Sequence, residues 1–215
     1  MTTMYIFLIC ALGGYILGSI PFGLVLTRIC GCGDIRKIGS GNIGATNVLR
    51  TGRKDLALLT VILDASKAGI AFALALNFVT TEAHICHGIA TQVNIVASLI
   101  AGTMAIIGHN FPVWLKFKGG KGVASTFGLL VAINWQLALI ALAVWLFMAF
   151  TFRYSSLSAI TATAIIPFIA FFMLSPIHSI FIGAVALLIL VRHKDNIKRL
   201  IKGEESKINL KKKAK

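Results

Sequence analysis

Long uninterrupted apolar stretches dominate this chain and leave it little choice of fold. Runs close to the ~20 residues that a helix needs to cross a bilayer lie near 4–27, 56–79, 89–108, 137–152, 157–175 and 177–191, with a shorter one near 122–134. Inside hydrocarbon a backbone must satisfy its own N–H and C=O groups, so apolar runs of this length are expected to be helices. Charged residues make up only 13% of the 215, against roughly 25% in a soluble domain. These features predict an all-α, polytopic integral membrane protein, one bundle over residues 1–215 with no separate soluble domain and a basic tail from about 192 to 215.

The net charge of +14 would suit a nucleic-acid binder, but its distribution points to a membrane instead. Loop 28–55 holds Arg28, Arg36, Lys37, Arg50, Arg53 and Lys54; loop 109–121 holds Lys116, Lys118 and Lys121. Arg153 sits in a later connection, and the remaining basic residues run from Arg192 to Lys215. These segments alternate with connections near 80–88, 134–136 and 175–176 that contain none. With seven spans, all but one of the 21 Lys and Arg residues therefore fall on one side of the membrane. By the positive-inside rule that side is cytoplasmic, with the N-terminus outside and the C-terminus inside. Dropping the short fourth run would scatter the charges, so the pattern favours keeping it. The exception is Lys67, three residues after Asp64 inside the second run; the i,i+3 spacing lets the two neutralise each other.

Other readings are weaker. The N-terminal run lacks the basic n-region and small-residue cleavage site of a signal peptide. Cys10, Cys30, Cys32 and Cys86 show no zinc spacing, and Cys30-Gly-Cys32 falls on the side where thiols stay reduced. Lys211–Lys213 suits a tail attracted to lipid headgroups. Histidines 84, 87 and 178 fall on the outer side and are expected to be incidental.

Polar residues gather in loops on the basic side. Gly18-Ser19-Ile20-Pro21-Phe22-Gly23 should kink the first helix at Pro21 and release carbonyls. Residues 39–50, with Gly39, Gly41 and Gly44 among Ser40, Asn42, Thr46 and Asn47 and with Arg50 closing the run, have the makings of a phosphate cradle. Glycine brings backbone amides close to a ligand, such nests bind anions, and an arginine fork completes the site. Gly108-His109-Asn110-Phe111-Pro112 leads to Gly119-Gly120-Lys121-Gly122 before the fourth helix, combining amides, a lysine and a helix N-terminus. It lacks the Walker spacing, which argues against NTP hydrolysis. In Arg192-His193-Lys194-Asp195-Asn196-Ile197 the helical spacing puts His193 and Asn196 on one face. Arg153-Tyr154-Ser155-Ser156 adds a further polar patch.

Acids are scarce: Asp34, Asp55, Asp195, Glu204 and Glu205 on the basic side, Glu82 outside and Asp64 in the membrane. No acidic pair suggests a metal or two-carboxylate site, and no histidine is followed five residues later by aspartate. Chemistry here would be done by cations, amides and hydroxyls around anions. A carrier for small phosphorylated anions would need charged residues leading to the far side, which loop 80–88 does not offer.

Taken together, Ser19-Ile-Pro21, Gly39-Ser-Gly-Asn-Ile-Gly-Ala-Thr-Asn47, Gly108-His-Asn-Phe-Pro112 with Gly119-Gly-Lys-Gly-Val-Ala124, and Arg192-His-Lys-Asp-Asn-Ile197 resemble the bacterial acyl-phosphate:glycerol-3-phosphate acyltransferase family (PlsY). The resemblance covers nearly the whole chain in order. It implies a seven-helix inner-membrane enzyme, N-terminus out, with a cytoplasmic active site. Such an enzyme moves an acyl group from acyl phosphate to glycerol 3-phosphate, without cofactor or metal. It further implies that Ser40, Gly41, Asn42, Thr46, Asn47, Arg50, Gly119 and Gly120 handle substrate phosphate, and that Lys121, Ser156, His193 and Asn196 are catalytic. Expected partners are the two substrates, membrane lipids and an enzyme that supplies acyl phosphate. The base stays open between His193 and a substrate phosphate oxygen. Two positions depart from the family pattern: Ser125 where threonine is expected, and Ala68 after Lys67 where glycine is commoner.

Overall fold

The computed structural model describes residues 3–79 and 89–208, with side chains in the second segment from residue 93. The 80–88 connection with Glu82, His84, Cys86 and His87, and the basic cluster Lys211–Lys213, lie outside the described residues. Among the described residues all regular structure is helical. The chain packs as two compact units, Met1–Asn134 and Trp135–Lys215. The first holds α1 (Thr3–Gly18), α2 (Phe22–Ile29), the short α3 (Ala45–Val48), α4 (Lys54–Phe78), α5 (Ile89–Asn110) and α6 (Val123–Ile133). The second holds α7 (Trp135–Phe152), α8 (Ser155–Met173), α9 (Pro176–Arg192) and α10 (Lys194–Ile201).

Each apolar run expected to be helical from the sequence is helical. Five described stretches are long and apolar enough to cross a membrane: Thr3–Ile29, Lys54–Phe78, Val93–Leu115, Trp135–Phe152 and Ser155–Met173. A sixth is reached if α9 and α10, bent by 56° at their junction, count as one span. Helix α6 has 11 residues, about 16 Å at the usual rise, well short of the ~30 Å hydrocarbon core. The outward faces are apolar, with Leu8, Leu12 and Ile16 on α1 and Phe168, Phe171 and Phe172 on α8 all exposed. Water would oppose such faces; acyl chains do not.

Pro21 does more than bend the first span. It separates α1 from α2 and occupies the centre of an inverse γ-turn, with φ −88° and ψ 74°. The Ile20 carbonyl accepts from the Phe22 amide at 3.1 Å and retains a lone pair for another donor.

Lipid offers little hydrophobic driving force between helices, so close packing has to hold them together. In the first unit α1 lies on α5 and α4 lies between α5 and α6. Gly14 and Gly18 rest on the backbone of Ala101 and Ala105, so closely that a Cβ at either would overlap the facing carbonyl. Gly108 meets the Tyr15 carbonyl in the same way, and Gly128 of α6 meets the Ala65 carbonyl of α4. Ser125, buried in α6, donates its hydroxyl to the Asp64 carbonyl at 2.7 Å. In the second unit α8 packs on both α7 and α9.

Adding one methyl at these contacts must therefore push helices apart. Gly18→Ala and Gly128→Ala are each expected to cost about 1–3 kcal/mol, the usual penalty for overpacking. Gly13→Ala, where no atom lies within 4 Å of the added carbon, should be neutral. Thermal unfolding in mild detergent checks the contrast, and equal melting temperatures for all three variants would refute it.

Candidate functional site

The glycine-rich loop 39–50 is built on a small apolar floor formed by Leu24, Ile35, Ile43, Val48, Leu56 and Ala57, against which Cys32 and Leu115 pack. Asp34 caps the turn that buries Ile35, accepting from the Arg36 amide at 3.0 Å. Hydrogen bonds from Arg36 and the nearby Arg28 hold the Asp34 carboxyl well below the usual carboxylate range. Gly39 and Gly41 adopt φ of 54° and 69°, the left-handed region that glycine enters without strain. At Gly39 the absent side chain has a further use: the Arg50 guanidinium lies where a Cβ would stand.

Asn47 is buried and spends its amide within the loop, donating to the Ile35 carbonyl at 2.7 Å and the Asn42 carbonyl at 2.8 Å. Asn42 in turn accepts from the Ile43 amide at 3.0 Å. These two asparagines brace the curve, while Ser40, Gly41, Thr46 and Arg50 lie on its exposed rim.

The second glycine loop is tied to the end of α5. The Gly119 amide donates to the Asn110 carbonyl at 3.1 Å and the Gly120 amide to the His109 carbonyl at 2.9 Å. No side chain fits at either residue: at Gly119 a Cβ would strike the His109 carbonyl and Pro112, and at Gly120 the His109 ring. Gly122, at φ 84°, then turns the chain into α6, so Lys121 sits directly before a helix N-terminus, where unpaired amides and the dipole favour anions. Leu115 connects the two loops, because it packs on the floor beneath the first.

Beneath the second loop lies the Asp64–Lys67 pair expected from the sequence, with Nζ and Oδ1 2.9 Å apart and both side chains buried. Lys67 also reaches the Ile20 carbonyl at 3.0 Å and His109 Nδ1 at 2.9 Å. Spacing alone identified the pair; its two further partners come from the break between α1 and α2 and from the end of α5.

In the second unit Ser156, Asn196 and His193 are all buried. His193 closes α9, and its Nδ1 lies 2.8 Å from the Ile189 carbonyl. A carbonyl can only accept, so Nδ1 carries a proton and points away from the site. Ser156 and Asn196 meet on a residue that sequence reasoning passed over, Glu205. Its Oε1 accepts from Ser156 Oγ and Asn196 Nδ2, each at 2.7 Å, and its Oε2 accepts from Arg199 Nε at 2.6 Å. Gly203 makes this possible. At φ 72° it ends α10 in a Schellman turn, Gly203 amide to Leu200 carbonyl at 3.1 Å and Glu204 amide to Arg199 carbonyl at 2.8 Å, and so sends the chain back. A glycine directly after a basic helix end, followed by acids, was the available signal. The returning segment is held by Arg153, whose carbonyl accepts from the Ile208 amide at 2.6 Å and whose guanidinium donates to the Ile208 carbonyl at 3.2 Å.

Among the described residues no three His, Cys, Asp or Glu side chains converge as a metal site would require. The first unit thus carries Arg50 and Lys121 on glycine loops, and the second gathers Ser156, His193 and Asn196 around the ends of α8, α9 and α10.

The family model for glycerol-3-phosphate acyltransferase matches residues 8–203. A protein of that name from Rhodospirillum rubrum is 54% identical over 206 residues, covering 96% of this chain and 93% of the relative. Another from Maricaulis maris is 53% identical over 212 residues, covering 99% and 92%. Among solved structures, the glycerol 3-phosphate form of PlsY, an integral membrane glycerol 3-phosphate acyltransferase, superposes with a TM-score of 0.83 at 35% identity, over 94% of this chain and 96% of that one. The lysophosphatidic acid form gives 0.81 at 34% identity, over 94% and 95%. With its glycine loops, its helices and nearly its full length accounted for, the chain belongs to the glycerol-3-phosphate acyltransferase family.

Proposed function

We propose that this protein transfers a fatty acyl group from acyl phosphate to glycerol 3-phosphate, giving lysophosphatidic acid and inorganic phosphate, the first acylation of phospholipid synthesis. The two solved relatives are forms with the acceptor and the product of this reaction. The observation that carries the donor assignment is the occurrence of two cation-bearing glycine loops in one unit, Gly39 with Arg50 and Gly119-Gly120 with Lys121. Two phosphate-bearing substrates call for two such anion sites.

In this scheme the loops neutralise both phosphates and hold the reactants in register, which can lower a barrier by roughly 7–11 kcal/mol. A hydroxyl oxygen of glycerol 3-phosphate attacks the acyl carbonyl carbon. The new ester C–O bond forms, the bond to phosphate breaks, and inorganic phosphate departs with the electron pair. The hydroxyl proton passes to His193 Nε2 or to a phosphate oxygen. Because phosphate is already a good leaving group, no protein nucleophile is needed. Ser40, Gly41, Asn42, Thr46, Asn47 and Arg50 form or brace one phosphate cradle, and Gly119, Gly120 and Lys121 the other. Ser156, His193 and Asn196 serve the reacting centre.

The charge distribution supports seven spans, with α6 as the short one, in a bacterial inner membrane with the N-terminus outside and the reaction on the cytoplasmic face. Both units serve this one activity as a single catalytic domain, fed by an enzyme that makes acyl phosphate.

Purified protein given glycerol 3-phosphate should make lysophosphatidic acid from palmitoyl phosphate and none from palmitoyl-CoA; product from the thioester alone would overturn the donor assignment. Lys121→Ala should lower turnover by about two orders of magnitude, the scale of losing one transition-state donor, and near-normal turnover would remove Lys121 from the mechanism.

Glu205 makes a pH prediction. Burial pushes its carboxyl upward, but hydrogen bonds from Ser156, Asn196 and Arg199 outweigh this and hold it below its ordinary value. A carboxylate depressed in the folded state contributes stability above its unfolded pKa and loses it as pH falls through the folded value. Glu205→Gln should therefore melt below wild type at neutral pH, with the gap closing as pH drops below about 4.3. A gap independent of pH would show that the carboxylate charge is not what holds Ser156 and Asn196.

A further inference from the structure

We infer that the buried Asp64–Lys67 pair is a positioning device for the Gly119–Lys121 loop, acting through the tautomer of His109. The inference rests on the reading of that loop as a phosphate site for glycerol 3-phosphate. An ammonium has three protons and no lone pair. At Lys67 two hydrogen bonds form, to the Ile20 carbonyl at 3.0 Å and His109 Nδ1 at 2.9 Å, and Asp64 Oδ1 pairs with the charge at 2.9 Å. The Phe22 ring, its centroid 5.6 Å from Nζ, covers the same cation.

Accepting from an ammonium obliges Nδ1 to carry the lone pair, so the His109 ring is neutral and bears its proton on Nε2. Asp64 Oδ1, 3.5 Å from Nδ1, is too distant to compete for the ring. The edge that carries Nε2–H is the edge on which Gly120 rests, because a Cβ there would strike Nε2, Cδ2 and Cε1. The ring is thus the floor of the loop, and its own carbonyl accepts from the Gly120 amide at 2.9 Å. The opposite tautomer would set an N–H against the ammonium, turn the ring, and shift the glycines that carry Lys121. Lys67 touches no part of the loop itself. It is a positioning residue, and the break at Pro21 supplies one of its acceptors.

The test uses the full-length protein. Lys67→Met alone would strand the Asp64 carboxylate, so the double variant Asp64→Asn/Lys67→Met removes both charges together. The expected result is a rise in KM for glycerol 3-phosphate of about tenfold to a hundredfold, the usual effect of misplacing a binding group by about an ångström, with KM for the acyl donor unchanged. Lys67→Arg, which keeps a cationic donor, should recover much of the loss. In protein carrying 15N-histidine, with the His109 signal identified by its absence in His109→Gln, wild type should show the neutral Nε2–H form and the double variant should lose it.

A double variant with wild-type KM for glycerol 3-phosphate overturns the inference. So does one in which both KM values and the melting temperature worsen together, as for a pair that merely holds the fold. If the double variant does not fold, the wild-type spectrum decides alone: His109 protonated on Nδ1 refutes the mechanism. Failure of wild type to saturate with glycerol 3-phosphate would instead sink the underlying substrate reading, and that is seen before any variant is made.

Discussion

A charged amine inside a membrane-embedded helix bundle is tolerated only when its charge is paired and its surroundings are polar. Lys67 meets that condition with an ion pair to an acid of its own helix and hydrogen bonds to a carbonyl from the break between α1 and α2 and a ring nitrogen from the end of α5. Three separate chain segments are therefore tied to one atom. Removing any one of them leaves a buried charge short of a partner, a larger penalty than the loss of an ordinary hydrogen bond. The packing of the first unit and the placement of its second glycine loop both rest on this arrangement.

Small residues do the rest of the assembly. Since lipid solvates apolar surface about as well as another helix does, association depends on backbone approach, and Gly14, Gly18, Gly108 and Gly128 each sit where a methyl would not fit. The same economy of side chain recurs in the loops. Gly39 admits Arg50, and Gly119 and Gly120 lie flat on the end of α5. In helices and loops alike glycine serves for one reason, that backbone groups can approach what they pack on.

The second unit uses a different device. Acids are few, yet Glu205 is placed with three donors on its carboxylate, and two of the donors, Ser156 and Asn196, are residues expected at the reacting centre. A left-handed glycine after α10 delivers that acid from the tail. Held on one carboxylate, Ser156 and Asn196 are limited in how they can turn.

Hydropathy located the long helices, because a spanning segment must satisfy its backbone locally and the run of apolar residues records its length; the short α6 needed the alternation of basic loops as well. The i,i+3 spacing of Asp64 and Lys67 disclosed their pairing, and glycines alternating with polar residues disclosed both loops. What no local pattern carried was every contact between distant segments. Lys67 with His109 and Ile20, Arg50 across Gly39, and Glu205 with Ser156 join residues whose separation in sequence is set by intervening helices and turns. Asn47 shows the difference in one residue: its composition suggests a phosphate ligand, but only folding buries its amide against Ile35 and makes it a brace. Periodicity records what a segment does with its own neighbours. Which side chain fills which gap is decided only when helices approach closely enough for backbone carbonyls and buried charges to need partners.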